Sequence, residues 1–443
     1  VRGCIVVRPY GYTIWELMQH ALDRRFKATG HTNAYFPLFI PQSFLAREAE
    51  HVEGFAPEVA WVTRGGGEEL SEPLAVRPTS ETIIGHMYAR WIRSYRDLPL
   101  LINQWCNIVR WEKATRPFLR TTEFLWQEGH TAHRTVEEAE AEARQMLEVY
   151  RDFVETDLAI PVLSGRKPES EKFPGAVRSY TIEALMPDGQ ALQSGTSHNL
   201  GQNFARAFDI KFLDSDNVEK HVFTTSWGLS WRVLGGLIMV HGDDRGLVIP
   251  PKVAPFQAVI VPILTGAGQG DVLAAARSLA TRLAASVRVR LDDRTEVTPG
   301  WKFNDWEMRG VPLRIEVGPR DIAQRQVVLV PRVGKGRRAA PVDSVEEDVT
   351  AGLEEVHQEL FRQAKAYLDS HIVSASTRDE FVAAIAARRG FVRVLWCGGE
   401  DCERMLRRDS GASPRLIADD PAEGPCVACG SPARVVVYYA RAY

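Results

Sequence analysis

Three prolines within the eight residues 248–255 divide this chain into two unequal parts. Proline lacks a backbone donor and disfavours a continuing helix, so this stretch is predicted to link two domains. A chain of 443 residues also exceeds the roughly 250 to 300 residues that a single core can serve. We therefore predict one large domain over residues 1–250 and further domains after it.

The first part mixes helical segments with strand-like runs. Val136–Thr156 has helical periodicity, whereas residues 34–40 and Leu100–Val109 are rich in strand-forming residues. Together they predict a single α+β domain. The chain starts inside an apolar run at residues 4–7, so we expect this domain to begin upstream of Val1.

Strands alternate with helices between residues 255 and 345. The predicted elements are strand 257–264, helix 271–285, strand 287–291, helix 300–309, and strands 311–317 and 326–331. This alternation predicts a small doubly wound α/β domain over residues 255–345. A glycine-rich turn at 266–270 resembles a dinucleotide-binding loop, but its third glycine is misplaced, and we interpret it as a plain strand-to-helix turn.

The last part combines helical segments, at Val345–Ser370 and residues 378–389, with paired cysteines. Four of the six cysteines form two pairs that lie 23 residues apart, namely Cys397, Cys402, Cys426 and Cys429. Four thiolates at such spacing are typical of a closed, structural Zn²⁺ site, and two disulfides are the alternative. We predict a small α+β zinc-binding module over residues 346–443 in a protein of the reducing cytoplasm.

Composition narrows the class of protein further. The chain is 45% hydrophobic and 25% charged, as globular proteins are, and no apolar run approaches the roughly 18 residues that a bilayer requires. We predict no membrane partner. The net charge of −3 means that any nucleic acid must be bound by local basic surface and not by the field of the whole molecule.

The most informative stretch follows Arg110. One face of the next predicted strand carries Phe124, Trp126, Glu128 and His130 in order, because side chains alternate along a strand. Taken singly, the tryptophan would be a core residue and the histidine a structural one. Their joint occurrence with the arginine favours a lined pocket.

These residues resemble motif 2 of the class II aminoacyl-tRNA synthetases, whose arginine and aromatic ring bind the α-phosphate and adenine of ATP. Residues 30–37 resemble motif 1, which builds the dimer interface in that class. Residues 226–237 resemble motif 3, whose arginine, here Arg232, holds the γ-phosphate. The resemblance implies a class II catalytic domain, an antiparallel sheet with helices, in a homodimer that binds ATP with Mg²⁺.

Residues 77–81, 126–130 and 195–198 resemble the prolyl-tRNA synthetases in particular, in the archaeal/eukaryotic-like form with a C-terminal zinc module. That resemblance implies activation of L-proline with ATP and its transfer to the 3′ end of tRNA(Pro). Another synthetase of the same subclass is one alternative, because threonyl and glycyl enzymes share a segment like 77–81. A silent paralogue is the other, although such proteins usually lose the phosphate arginines, and Arg110 and Arg232 are both present.

The resemblance also implies two substrate sites that share one arginine. The proline site would comprise Thr79, Glu81, Arg110, Trp126, Glu128, His130, Phe173, His198, Ser226 and Gly228. The ATP site would comprise Arg110, Glu112, Arg120, Thr121, Phe124, Gln193, Thr196 and Arg232. The carboxylate of proline is already ionised at neutral pH, so the first step needs alignment and charge neutralisation and no general base.

Residues 255–345 resemble the anticodon-binding domain of the same subclass. Candidate tRNA contacts there are Lys302, Glu307, Arg309 and Arg320, for which an ordinary solvated helix surface is the alternative. About 90 residues separate His133 from Thr224, which leaves no room for the editing domain inserted there in the common bacterial prolyl enzymes. We therefore expect mischarging with alanine without clearance in cis. The terminal Tyr443 is expected to pack toward the active site, as in the family.

Overall fold

The computed structural model describes residues 3–51, 59–264, 268–387 and 390–443. Residues 266–267 of the glycine-rich turn, and residues 388–389 at the end of one predicted helix, lie outside the described residues. Within the described ranges, no helix has the length and apolar character needed to cross a membrane.

The described elements are helices and strands distributed along the whole chain. The helices are α1 Pro9–Ala28, α2 Gln42–His51, α3 Glu81–Trp91, α4 Val136–Thr156, α5 Asn203–Ala207, α6 Arg232–His241, α7 Gln269–Leu283, α8 Pro299–Met308, α9 Pro319–Ala323, α10 Val345–Ser370, α11 Arg378–Ala386 and α12 Glu400–Ser410. The strands are β1 Thr32–Asn33, β2 Phe39–Pro41, β3 Trp61–Gly65, β4 Glu68–Val76, β5 Leu100–Val109, β6 Glu123–His133, β7 Val162–Arg166, β8 Arg178–Leu185, β9 Ala191–Gly201, β10 Lys211–Leu213, β11 Glu219–His221, β12 Phe223–Ser230, β13 Ala258–Pro262, β14 Val289–Leu291, β15 Leu313–Val317, β16 Gln326–Pro331, β17 Arg338–Pro341, β18 Ile372–Ser374, β19 Phe391–Trp396, β20 Ser413–Ala418 and β21 Val435–Ala440.

An 11-stranded sheet forms the centre of the molecule, in the order β1-β5-β6-β12-β9-β8-β7-β20-β21-β19-β18. Its neighbours are antiparallel except at the two edges, where β1 and β18 run parallel to their partners. Helices α1 and α4 cover one face through a core that includes Trp15, Met18, Tyr150 and Trp227. This arrangement confirms the predicted antiparallel sheet with helices.

Helix α4 decides which face of the sheet remains open. Thr135 caps it in a capping box with Glu138, and its buried residues recur at helical spacing. Gln127 of β6 donates a hydrogen bond to Tyr150 of this helix. Because side chains alternate along a strand, the neighbours of Gln127 at positions 126 and 128 point to the opposite, open face.

Several predicted elements are confirmed with their bounds, namely α4, β5 and α10. The prediction for residues 34–40 was wrong in extent, because only Phe39–Pro41 forms a strand. Pro37 interrupts this segment and has no backbone N–H for a sheet ladder.

The proline-rich stretch contains a single short 3-10 turn at Pro251–Val253, as its composition predicts. It is nevertheless buried, since Ile249, Val253 and Ala254 have no measurable exposure and join the core beneath the central sheet. The linker is therefore packed against the first domain and is not a free connection.

The second domain contains a five-stranded sheet in the order β14-β13-β15-β16-β17. Strands β14, β13 and β15 are parallel, whereas β16 and β17 are antiparallel. Helices α7 and α10 cover one face and α8 the other. The predicted α/β domain is confirmed, with helices on both faces of the sheet. The connection between β15 and β16 contains only the short α9, and these two strands are antiparallel.

The C-terminal module has its own core but continues the central sheet. Strand β20 meets β7 at one bridge, between Ile417 and Arg166. Gly165 permits this approach, because a Cβ atom there would lie only 2.5 Å from the carbonyl oxygen of Ile417. Residues more than 240 positions apart thus form one sheet, which the sequence did not indicate.

Candidate active site

A cavity of about 300 Å³ opens on the free face of the central sheet. All ten residues predicted for the proline site line it: Thr79, Glu81, Arg110, Trp126, Glu128, His130, Phe173, His198, Ser226 and Gly228. Five of the eight residues predicted for ATP also line it: Arg110, Phe124, Gln193, Thr196 and Arg232. The remaining three lie outside the cavity wall. Arg120 donates to Glu112 at 2.7 Å on the loop between β5 and β6, and Thr121 is buried.

One end of the cavity is acidic. Glu128 accepts hydrogen bonds from Gln104 Nε2 at 2.9 Å and from the backbone and hydroxyl of Ser80. It also lies 3.0 Å from His130 Nε2. Glu81, in contrast, accepts from the Thr79 hydroxyl and from no other group in the described part of the chain. Glu81 is therefore the carboxylate with capacity left for a ligand.

Hydrogen bonds and neighbouring charges favour the ionised forms of both members of the buried Glu128–His130 pair. Burial favours the neutral form of Glu128, but the hydrogen bonds from His130, Ser80 and Gln104 outweigh it and lower its pKa. Burial alone would lower the pKa of His130, yet the bond to Glu128 and the charge of Glu81 raise it. The oxygen and nitrogen atoms of Glu81, Glu128 and His130 lie within 4.8 Å of one another, so this end attracts a small cation or an ammonium group.

Beside the acids lie apolar walls. Phe173 stacks on His198 with ring centroids 4.8 Å apart, and His198 Nδ1 shares a 2.7 Å hydrogen bond with the Ser179 hydroxyl. Burial lowers the pKa of His198 to about 3, so its ring is neutral at physiological pH. At Gly228 an added Cβ atom would lie 3.3 Å from the Trp126 ring. These residues form a narrow slot suited to a small ring next to an ammonium group.

Two guanidinium groups occupy the rest of the cavity. Arg110 Nε donates to the Pro78 carbonyl at 3.0 Å, and its Cζ lies 5.3 Å from the ring centroid of Trp126. Arg232 Nε donates to the Leu119 carbonyl at 2.8 Å. Burial and the charge of Arg110 lower the pKa of Arg232 to about 10, which still leaves it charged. Two guanidinium groups that line one cavity indicate a site for a polyanion such as a phosphate chain.

Sequence reasoning missed several residues of the cavity wall, among them Lys167, Glu171 and Lys172. Lys167 follows β7 directly, and the other two belong to the connection between β7 and β8. They carry no pattern that distinguishes them from solvated loop charges, so only their position in the fold could identify them.

The four candidate tRNA contacts of the second domain fall into two groups. Lys302 is buried, and its ammonium donates to the Asp292 carbonyl at 3.0 Å, which corrects its prediction as an exposed contact. Glu307 pairs with Arg245, which follows α6, at 2.7 Å. Arg309 and Arg320 are exposed, and Arg309 Nε donates to Asp305 at 3.1 Å.

The four C-terminal cysteines come together in space. The sulfur atoms of Cys397 and Cys402 lie 3.6 Å apart, and those of Cys397 and Cys429 lie 3.9 Å apart. Both distances exceed the disulfide length of about 2.05 Å. They match the edge of a tetrahedron with metal–sulfur bonds of about 2.3 Å, which is about 3.8 Å. The cluster, which includes Cys426, can therefore hold one metal ion.

Tyr443 contacts the loop between β5 and β6 and does not line the cavity. Its hydroxyl donates to Asp188, and the guanidinium carbon of Arg116 lies 5.2 Å from its ring centroid. The terminal residue therefore lies against the loop that carries the motif 2 resemblance.

Comparisons with known proteins agree with this geometry. Residues 61–241 match the family described as "tRNA synthetase class II core domain (G, H, P, S and T)", residues 257–352 the "Anticodon binding domain", and residues 378–443 "Prolyl-tRNA synthetase, C-terminal". The chain is similar over its full length to a proline–tRNA ligase of Natranaerobius thermophilus, with 57% identity over 92% of that protein. It is 56% identical to a proline–tRNA ligase of Symbiobacterium thermophilum, over 93% of that protein, and 52% identical to proline–tRNA ligase 2 of Bacillus cereus, also over 93%.

Proposed function

Because this chain belongs to the proline–tRNA ligase family of class II synthetases, we propose that it activates L-proline with ATP and transfers it to tRNA. One observation carries this proposal: a single cavity places an acidic slot beside the guanidinium groups of Arg110 and Arg232. The slot suits a cyclic amino acid, and the guanidinium groups suit its nucleotide co-substrate.

Proline recognition follows from the slot. The ring nitrogen of proline is a secondary ammonium with two N–H donors, and Glu81 with Thr79 offers the acceptors. Glu128 and His130 stabilise the acidic end, because Glu128 already forms hydrogen bonds with Gln104 and His130. Trp126, Phe173 and His198 enclose the apolar ring, and Ser226 and the bare backbone at Gly228 close the slot.

Activation requires alignment. A carboxylate oxygen of proline attacks the α-phosphorus of ATP, and pyrophosphate leaves with its electron pair. We propose that Arg110 bridges the carboxylate and the α-phosphate, that Arg232 holds the γ-phosphate, and that Phe124 stacks on adenine. Mg²⁺ enters with ATP and neutralises phosphate charge. The terminal hydroxyl of tRNA then attacks the prolyl carbonyl, and AMP leaves.

Amino-acid-dependent exchange of pyrophosphate into ATP tests this function. We expect exchange with proline and none with threonine or glycine. Exchange with threonine alone would assign the chain to another synthetase of the subclass. An absence of exchange with every amino acid would favour a silent paralogue.

We propose a division into a catalytic domain over residues 1–250, an anticodon-binding domain over residues 255–345 and a C-terminal module over residues 346–443. The exposed positions of Arg309 and Arg320 support a contact with tRNA, whereas Glu307 is paired with Arg245. Substitution of either arginine is expected to raise the KM for tRNA without changing pyrophosphate exchange.

The metal of the cysteine cluster is proposed to be Zn²⁺, because four thiolates leave no open position for catalysis. Such a site also supports a cytoplasmic location, where thiols stay reduced. We expect one Zn²⁺ per chain by elemental analysis and its loss in Cys429→Ser, together with faster proteolysis after residue 390. Cys4→Ser, far from the cluster in sequence, is the matched control and should keep the metal. A metal content that is unchanged in Cys429→Ser would contradict the assignment.

We propose that alanine is mischarged and not cleared in cis. Residues 134–222 form α4, β7 to β9, α5 and the small β10–β11 hairpin, which supports the absence of an inserted editing domain. Alanine lacks two ring carbons, and each methylene discriminates by only about 1 to 3 kcal/mol. We expect the purified protein to accumulate Ala-tRNA(Pro). Rapid hydrolysis of preformed Ala-tRNA(Pro) by the protein would overturn this expectation.

A homodimer is proposed through the segment that resembles motif 1. Strand β1 is an edge of the central sheet, and the nearby Tyr35 is 73% exposed. An edge strand beside an exposed aromatic residue suits a partner subunit. Sedimentation equilibrium at micromolar concentration should give twice the mass of the chain.

A further inference from the structure

Lys167 lines the cavity and belongs to neither predicted substrate set. Only 6% of the residue is exposed, and its backbone N–H donates to the Ser179 carbonyl at 2.8 Å. Among the described residues, no hydrogen bond or ion pair involves its ammonium group. A buried ammonium without a close partner is costly, so its position in a cavity wall indicates a place for an anion.

A buried ion pair lies behind this lysine. Glu183 of β8 is fully buried, and Arg415 of β20 reaches it with Nη2 at 3.1 Å and Nε at 3.2 Å. Burial lowers the pKa of Lys167, the charge of Glu183 opposes this effect, and the charge of Arg415 reinforces it. Glu183 is thus paired with Arg415, and Glu171, whose charge also acts on Lys167, is bonded to Arg407, so each acid near the lysine already has another cation.

Arg232 belongs to the same electrostatic group. The charge of Glu183 also acts on Arg232, and the charge of Arg232 helps to lower the pKa of Lys167. In the acidic slot, by comparison, Glu81 is the carboxylate that can still accept a hydrogen bond from an ammonium group. Lys167 and Arg232, the residue proposed to hold the γ-phosphate, thus both interact with the charge of Glu183. This shared interaction supports phosphate binding by Lys167 as well.

Building on the proposed synthetase function, we propose that Lys167 binds a phosphoryl oxygen of ATP as a third cation beside Arg110 and Arg232, and that the Glu183–Arg415 pair positions it. Arg415 belongs to the C-terminal module, which joins the catalytic sheet where Gly165 lets β20 approach. The module therefore contributes a positioning residue to nucleotide binding in addition to its metal site.

The test is Lys167→Met, which keeps the length of the side chain and removes its charge. We expect the Kd for MgATP, measured calorimetrically without proline, to rise by about 10- to 100-fold, as for loss of one charge-assisted hydrogen bond. The KM for proline in pyrophosphate exchange should change by less than about twofold, because the substitution removes a contact to ATP and leaves the proline slot unchanged.

Arg415 tests the positioning role. Arg415→Met should weaken MgATP binding in the same direction but less than Lys167→Met, and Arg415→Lys should restore part of the affinity because it keeps a charge near Glu183. Lys365→Met is the matched control, since Lys365 lies on the exposed surface of α10 and pairs with Asp369. Thermal midpoints of all variants separate these effects from unfolding.

An unchanged Kd for MgATP in Lys167→Met would overturn the proposal. A raised KM for proline with unchanged MgATP binding would also overturn it and would assign the ammonium to the proline carboxylate. If the synthetase function is wrong, the wild-type protein will show no proline-dependent pyrophosphate exchange. The Kd for MgATP in Lys167→Met would still test the role of Lys167 in that case.

Discussion

Replacement of Arg110 by alanine is expected to lower proline-dependent pyrophosphate exchange by about 10³-fold, the scale on which a phosphate-binding arginine contributes in phosphoryl transfer. Arg110 lines the cavity with its guanidinium over the aromatic rings of Phe124 and Trp126, and its Nε is held by the Pro78 carbonyl. In the proposed reaction Arg110 would lie at the junction of the two substrates, where negative charge accumulates during attack.

Two variants separate charge from geometry. Arg110→Lys keeps a cation but loses the fork that binds two oxygens at once, so its activity should lie between wild type and Arg110→Ala. Arg151→Ala removes an arginine that pairs with Glu148 at 2.6 Å on the surface of α4 and should leave exchange unchanged. Exchange by Arg110→Ala within roughly tenfold of wild type, at an unchanged thermal midpoint, would contradict the proposed role.

Glu81→Gln should raise the KM for proline by about 100-fold, because the ammonium of proline would then be buried without a counter-charge. The substitution conserves size, and Glu81 has the free acceptor capacity in the slot. Glu128 cannot take over this role, since Ser80, Gln104 and His130 already occupy its oxygens. Kinetics of exchange at saturating ATP measure this effect.

The control for this prediction is Glu148→Gln, which changes an exposed glutamate of α4 in the same way. Binding of MgATP without proline should remain intact in Glu81→Gln, because Arg110 and Arg232 keep the charges that are proposed to bind phosphate. A KM for proline that stays within about threefold of wild type would show that another group accepts the ammonium.

Much of the candidate site could be predicted from local patterns. Trp126, Glu128 and His130 share a strand face because side chains alternate, and α4 fixes that face toward the cavity. The spacing of Cys397, Cys402, Cys426 and Cys429 likewise predicted a cluster that the fold confirms. Such features depend on residues close together in the chain or on side chains of distinctive chemistry.

Other residues could be interpreted only in the folded protein. The sequence around Lys302 predicts a solvent-exposed helix. In the structure its ammonium instead donates a buried hydrogen bond to the backbone carbonyl of Asp292. Lys167 resembles an ordinary loop lysine in sequence and lines the cavity in the structure. Helix periodicity gives the face of a residue but does not say what packs against that face.

The ordered motifs by themselves determined the class of catalytic domain and the family of the chain. Only the tertiary structure decided how the C-terminal module joins that domain, with β20 beside β7 and Arg415 against Glu183. The physical reason is that pairing between strands some 250 residues apart depends on shape and packing at both edges. Local sequence patterns do not specify which distant edge a strand will meet.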